Sequence, residues 1–191
     1  GIRAVIIMTV SSPRRSDESG RGAGSRTPVL FVLRYLYLLA LVVWIGGIAA
    51  LGGVAAPALF ETLPRAVGPA GRELAGAAFG EILRRFHLVA YGAASVMLAS
   101  LVVARILGPR PVHFGARTAI VSAMLGLTLC SGVVVGRRIA AVRAEIRGPV
   151  AGLPDTDPRR IEFGRLHALS TVLMLLTGAA GLALLAWEAR E

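Results

Sequence analysis

The stretch Thr118–Gly136, TAIVSAMLGLTLCSGVVVG, decides the fold, because it is mostly apolar and contains no acidic or basic residue. A helix needs about 20 such residues to cross the hydrocarbon core of a bilayer. Three further stretches share this character: Tyr35–Pro57, Leu88–Leu107 and Ala168–Trp187. Arg105 is the one charged residue among them, and its long side chain can reach the membrane surface. The sequence therefore predicts an all-α bundle of four transmembrane helices.

The composition supports a membrane protein over a soluble one. Of the 191 residues, 55% are hydrophobic and 17% are charged, against about 25% charged in a typical soluble domain. All 21 basic residues are arginine, and the net charge is +10. Because the arginines lie at the ends of the apolar stretches, we expect attraction to anionic membrane lipids and no nucleic-acid binding.

The chain divides into a tail and one membrane domain. Residues 1–29 are predicted to be a flexible N-terminal tail, since Ser11–Thr27 is rich in Ser, Arg and Gly. Met8 is the expected natural start, which leaves open whether Gly1–Ile7 belong to the natural protein. No signal peptide is evident. The transmembrane domain is placed at residues 30–188, followed by a short tail at 189–191.

Helical patterns continue past three of the four stretches. Apolar residues recur at helical spacing between Arg72 and Phe86, before the second stretch. Arg137–Ile146 continues the third, and Asp157-Pro158 is a start signal for the fourth helix. In a four-span protein, the first and third loops lie on the same membrane face. Helices 2, 3 and 4 are therefore predicted to extend beyond the bilayer on that face, and we call these extensions the collar.

The collar is rich in arginine. Eleven arginines lie on its face and ten on the opposite face, so the positive-inside rule leaves the orientation open. Seven collar arginines are the candidate contacts for lipid head groups or a partner protein: Arg84, Arg85, Arg137, Arg138, Arg159, Arg160 and Arg165.

Two histidines are the candidate metal ligands. His87 and His167 stand at the starts of the second and fourth spans, and the topology puts both at one membrane level on the collar face. Imidazoles in such positions can ligate copper, zinc or a haem iron, and Glu61 or Glu162 could add an oxygen. No H-x-x-x-H, C-x-x-C or methionine cluster supports them, so an ordinary interfacial role is the alternative.

Small residues mark the predicted helix-packing faces. Six glycines carry this prediction: Gly46, Gly47, Gly52, Gly53, Gly132 and Gly136. Small side chains let helix backbones approach closely in lipid. Two interpretations follow: tight packing within the bundle, or a docking face for another membrane subunit.

The spans carry no ionisable residue at mid-depth. An intramembrane charge would normally mark a transport or relay site, so we expect no buried ion pair, and neither a proton-coupled transporter nor an ion channel. The serine and threonine hydroxyls are expected to bond back to their own helices. No nucleophile–base pair, phosphate-binding loop or pair of catalytic carboxylates is evident, so we do not expect an enzyme.

Three sequence pieces carry a family resemblance. They are WIGG at Trp44–Gly47 followed by PALFETLP at Pro57–Pro64, GRRIAAVRAE at Gly136–Glu145, and FGRLHALS at Phe163–Ser170. Over about Leu33–Trp187 the chain resembles the bacterial family DUF4149, relatives of a eukaryotic four-span membrane protein. It is more loosely similar to the copper-resistance D membrane family.

The resemblance implies a four-span fold in the bacterial inner membrane and no settled biochemical activity. The chain departs from the expected pattern at two positions. Met174 stands where a polar amide is expected, and Arg137 stands where a proline is expected.

Together these features predict a non-catalytic membrane protein. The leading hypothesis is an accessory or structural subunit of a larger membrane complex, of respiratory or photosynthetic type. The first alternative is a protein that binds copper or haem through His87 and His167. The second is an anionic-lipid-binding protein that uses the collar arginines.

Overall fold

The computed structural model describes residues 26–108, 113–146 and 149–190, and their regular structure is helical throughout. Most of the predicted tail, including Gly1–Ile7, lies outside these ranges. The α-helices are α1 (Arg26–Ala50), α2 (Ala56–Val67), α3 (Ala70–Leu107), α4 (Phe114–Leu129), α5 (Gly136–Glu145) and α6 (Pro158–Glu188). Two π-helical segments, Leu51–Ala55 and Cys130–Val135, join α1 to α2 and α4 to α5, and a short 3-10 turn occupies Val150–Gly152.

These helices form four long segments that are apolar enough to cross a membrane, which confirms the predicted fold. The first segment is Pro28–Val67, the second Ala70–Leu107, the third Phe114–Glu145 and the fourth Pro158–Glu188. They contain 40, 38, 32 and 31 residues. At 1.5 Å per residue, every segment is longer than the roughly 30 Å hydrocarbon core. The predicted extension of helices 2, 3 and 4 is therefore confirmed.

The first segment is also extended, where the sequence predicted a loop after Pro57. Pro57 lies in the first turn of α2, and the π-helical turn Leu51–Ala55 comes directly before it. Since proline has no N–H to donate to the preceding turn, the wider π turn lets the helix continue past it to Val67. The first segment thus also contributes to the collar.

The four segments pack as a closed ring of neighbours. Helix α1 packs against α3 and α6, and α4 packs against the same two helices. The core between them is apolar, and its largest fully buried side chains include Leu41, Trp44, Met97, Met124 and Leu184. Because lipid is as apolar as leucine, close packing rather than the hydrophobic effect holds these helices together.

A tight turn folds α2 back against α3 at the collar. Gly68 has a positive φ of 71°, a conformation that glycine adopts without strain. A Cβ on Gly71 would lie 2.2 Å from the carbonyl oxygen of Leu63, so only glycine allows this close approach. Phe60 and Phe79 then pack edge to face, with ring centroids 6.4 Å apart.

The fourth segment begins as predicted. The side chain of Asp157 accepts a hydrogen bond of 2.9 Å from the backbone N–H of Arg159, and Pro158 occupies the first turn of α6. This is the usual way in which an aspartate caps a helix N-terminus.

Candidate functional site: a polar cavity between the four segments

A small cavity lies where all four segments meet. Ile48 lines it from the first segment, His87 from the second, Ser131 from the third and Met174 from the fourth. The remaining lining residues are Leu83, Phe86, Thr128, Leu173 and Thr177. One imidazole side chain and three hydroxyl-bearing side chains therefore contribute to the wall of one cavity.

Gly132 lets His87 reach this position. A Cβ at Gly132 would lie 2.9 Å from Cδ2 of His87 and 2.5 Å from the hydroxyl oxygen of Tyr91. The predicted packing role of Gly132 is thus close contact within the bundle. Because Gly132 lies in the π-helical segment Cys130–Val135, this local change in helix geometry also occurs at the cavity.

The serine and threonine hydroxyls were predicted to bond back to their own helices. Around the cavity this is confirmed for two of them and wrong for the third. Thr128 and Thr177 each donate to the carbonyl four residues earlier, at Met124 and Leu173, over 2.8 Å. Ser131, in contrast, bonds across the bundle to the hydroxyl of Ser170, with the oxygens 3.0 Å apart. The rotation of the helix directs this serine toward its neighbour and away from its own backbone.

The predicted partner of His87 lies elsewhere. His167 is exposed, and its ring stacks on Phe163 one turn earlier, with centroids 6.3 Å apart. It is not among the residues that line the cavity. Within the described residues, no three His, Cys, Asp or Glu side chains form a group that could hold a metal ion. Metal or haem binding by His87 and His167 stays a prediction.

Most of the seven candidate arginines form ion pairs on the collar. Arg84 and Arg85 both bond to Glu81, at 2.8 Å and 2.7 Å, and these bonds lower the pKa of the Glu81 carboxyl to about 2. Arg138 bonds to Glu162 at 2.7 Å and joins α5 to α6.

The start of α6 holds two further pairs. Arg159 pairs with Asp157, and Arg160 pairs with Asp155. Arg137 and Arg165 are exposed and show no ion pair with the described residues. They are the two candidates whose charge an external anion would meet directly.

The opposite end of the bundle contains a buried ion pair that the sequence analysis excluded. Nε of Arg117 lies 3.0 Å from Oε1 of Glu188, and the two side chains are only 10% and 5% exposed. The Arg117 guanidinium also lies over the Trp187 ring, 6.0 Å from its centroid. Arg117 precedes the third apolar stretch by one residue and Glu188 follows the fourth by one. The topology puts the start of the third span and the end of the fourth on the same membrane face. The positions of Arg117 and Glu188 in the sequence could therefore have indicated the pair.

The glycines predicted to pack helices separate into two groups. Gly47 packs closely on Phe86, since a Cβ there would lie 2.1 Å from its ring. At Gly46, Gly52 and Gly53, a Cβ would have no neighbour within 4 Å, and all three residues are exposed. Gly136 has only the carbonyl oxygen of Ser131 nearby, at 3.5 Å. The bundle thus uses Gly47 and Gly132 for its own packing and leaves a second set on its surface.

Comparison with known proteins identifies one family. No curated protein and no solved structure matches the chain. The family described as a domain of unknown function, DUF4149, matches residues 39–147. That range covers more than half of the chain. It includes His87, which lines the cavity, its neighbour Gly132 and the exposed glycines of the first segment. The chain is therefore a member of the DUF4149 family.

Proposed function

We propose that this protein is a non-catalytic accessory subunit of a larger membrane complex, and that the first segment is its docking face. The observation that supports the proposal is a stripe of small residues on the lipid-facing side of α1 and the π turn after it. Gly46, Ala49, Ala50 and Gly53 recur at the spacing i, i+3, i+4 and i+7, and all four are exposed. We call these four residues the small-residue stripe.

The preceding half of α1 differs from the small-residue stripe in the size of its exposed side chains. Its exposed side chains are large, including Phe31 at 72%, Tyr35 at 58% and Val42 at 51% exposure. Lipid chains fill the space around large apolar side chains well, whereas small residues favour contact with another helix backbone. The change from large to small on one exposed face, with no intramolecular contact at Gly46 or Gly53, supports a partner helix at that level. A respiratory or photosynthetic complex is the proposed setting.

The test is purification of the tagged chain from its native membrane in mild detergent, with mass spectrometry of co-eluting chains. Gly46→Leu should leave the fold intact, because nothing lies within 4 Å of the new Cβ, and should release the chain from the complex. The matched control is Gly92→Leu, since Gly92 is also exposed with nothing within 4 Å but lies on the second segment.

The wild-type protein and Gly92→Leu should elute in one assembly with the same partner chains. Gly46→Leu should elute as a folded monomer. A wild-type protein that is a monodisperse monomer would contradict the proposal, and so would a Gly46→Leu variant that keeps the full set of partners.

Lipid binding at the collar is a second candidate, and the exposure of Arg137 and Arg165 favours it. These two arginines would meet anionic head groups without first breaking an ion pair. The variant Arg137→Gln with Arg165→Gln should weaken retention of anionic lipid by the purified protein, whereas Arg84→Gln with Arg85→Gln should have a smaller effect. Equal retention in all three proteins, independent of salt, would exclude this function.

Metal or haem binding is the remaining alternative. Elemental analysis and an absorption spectrum of the purified protein test it directly. Stoichiometric metal or a Soret band that disappears in both His87→Ala and His167→Ala would support metal or haem binding. A metal-free, colourless protein would exclude this function.

A further inference from the structure

The polar cavity has the size of a single water molecule. It leaves about 20 Å³ for the centre of a water-sized sphere, and one water requires roughly 10–15 Å³ by this measure. A larger cofactor or an organic ligand does not fit this volume. The space therefore suits only a very small molecule or ion.

The hydroxyl groups that line the cavity present oxygen lone pairs to an occupant. Thr128 and Thr177 have already donated their protons to the carbonyls of Met124 and Leu173. A hydroxyl has one donor and two acceptor lone pairs, so each threonine oxygen can still only accept. These two oxygens belong to the third and fourth segments, which makes them suitable acceptors for one molecule that donates twice.

The other two polar groups complete the environment. His87 lines the cavity from the second segment, and a neutral imidazole has one donor and one acceptor nitrogen. The hydroxyl groups of Ser131 and Ser170 form one hydrogen bond with their oxygens 3.0 Å apart, and Ser131 keeps at least one further lone pair whichever of them donates. A buried water typically makes about three hydrogen bonds to such groups, and this cavity offers four candidates within a lining that is otherwise Ile, Leu, Phe and Met.

We propose that the cavity binds one ordered water molecule, which donates to the hydroxyl oxygens of Thr128 and Thr177 and joins the third and fourth segments beside His87. The water uses the remaining acceptor lone pairs of hydroxyl groups that already donate to their own helices. It also explains why four polar side chains meet at this one depth of the bundle. This inference concerns the interior of the bundle and is independent of the docking face.

The experiment is NMR of the full chain in lipid nanodiscs with labelled threonine methyl groups. A long-lived water in the cavity gives a magnetisation-transfer signal between the water resonance and the methyl groups of Thr128 and Thr177. Thr177→Val keeps the shape of the side chain and removes one acceptor, so the signal at Thr128 should be lost. Thr171→Val is the matched control, because Thr171 makes the same hydrogen bond within α6, to His167 at 3.0 Å, but is exposed. The Thr128 signal should be unchanged in that variant.

Three results would overturn the proposal. The first is a wild-type protein with no water signal at Thr128, which means a dry cavity. The second is a signal that persists unchanged in Thr177→Val combined with Ser131→Ala, which places the water elsewhere. The third is a signal that depends on sodium or potassium in the buffer, since an alkali cation would then occupy the cavity.

Discussion

Gly132 shows how one residue can set the position of a side chain that lines the cavity. Its lack of a side chain admits both the His87 ring and the Tyr91 hydroxyl. Gly126, on the same segment, is exposed and has no such neighbour. The two glycines therefore form a natural pair for comparison.

Gly132→Ala should destabilise the protein, because the His87 ring and the Tyr91 hydroxyl would have to move away from the new methyl group. Overpacking of this kind typically costs about 1–3 kcal/mol. Gly126→Ala should be neutral or stabilising by up to about 1 kcal/mol, since alanine is the better helix former. The free energy of unfolding of both variants in the same detergent measures this. Equal stability of the two variants would show that the contacts of Gly132 are not tight.

Asp157 carries a prediction about pH. Its bonds to the guanidinium and backbone N–H of Arg159 lower the pKa of its carboxyl from 3.8 to about 2. Because the folded pKa lies below the unfolded one, this stabilisation is complete above pH 3.8 and is lost as the pH falls toward 2.

Carboxyl ¹³C chemical shifts of Asp157 during an acid titration check the value. Arg159→Gln should raise the pKa toward 3.8, and Arg165→Gln should leave it unchanged. A pKa near 3.8 in the wild-type protein would mean that the cap and the ion pair are absent in solution.

At the scale of the helices, the Arg117–Glu188 pair links the start of α4 to the end of α6. Glu188→Leu should cost about 3–5 kcal/mol, since it leaves a buried guanidinium without its carboxylate. Adding Arg117→Leu should recover much of that loss, because a buried pair is often replaceable by apolar residues.

Thermal or chemical unfolding of the single and double variants measures this coupling. Arg138→Leu is the control, since it breaks the exposed pair with Glu162 and should cost less than about 1 kcal/mol. Additive losses in the Arg117 and Glu188 variants would contradict a direct interaction between them.

The predictable parts of the structure are those encoded locally. The four spans follow from runs of about 20 apolar residues, and the start of α6 follows from Asp157-Pro158. The ion pair of Arg117 and Glu188, the Ser131–Ser170 contact and the division between Gly46 and Gly47 depend on how each helix is rotated. The two π-helical segments alter that rotation without a recognisable sequence pattern. The cavity could therefore not be predicted, and the sequence left open which glycines pack within the bundle and which are exposed.

For the molecule as a whole, the structure separates three regions along the membrane normal. One end holds a buried ion pair, the middle is an apolar core, and the collar end holds the polar cavity and a belt of ion-paired arginines. On the outside, the small-residue stripe of the first segment faces the lipid. The bundle thus combines a packed core with an exposed small-residue stripe on its first segment, and this combination supports the proposed role of an accessory subunit.

The most direct test of that role is photo-crosslinking in the native membrane. A photoreactive amino acid at Ala50, within the small-residue stripe, is compared with the same residue at Leu182, which is 57% exposed on the fourth segment. The account predicts a discrete crosslinked protein partner from position 50, abolished by Gly46→Leu, and only lipid adducts from position 182. Lipid adducts alone from both positions would contradict the proposed docking face.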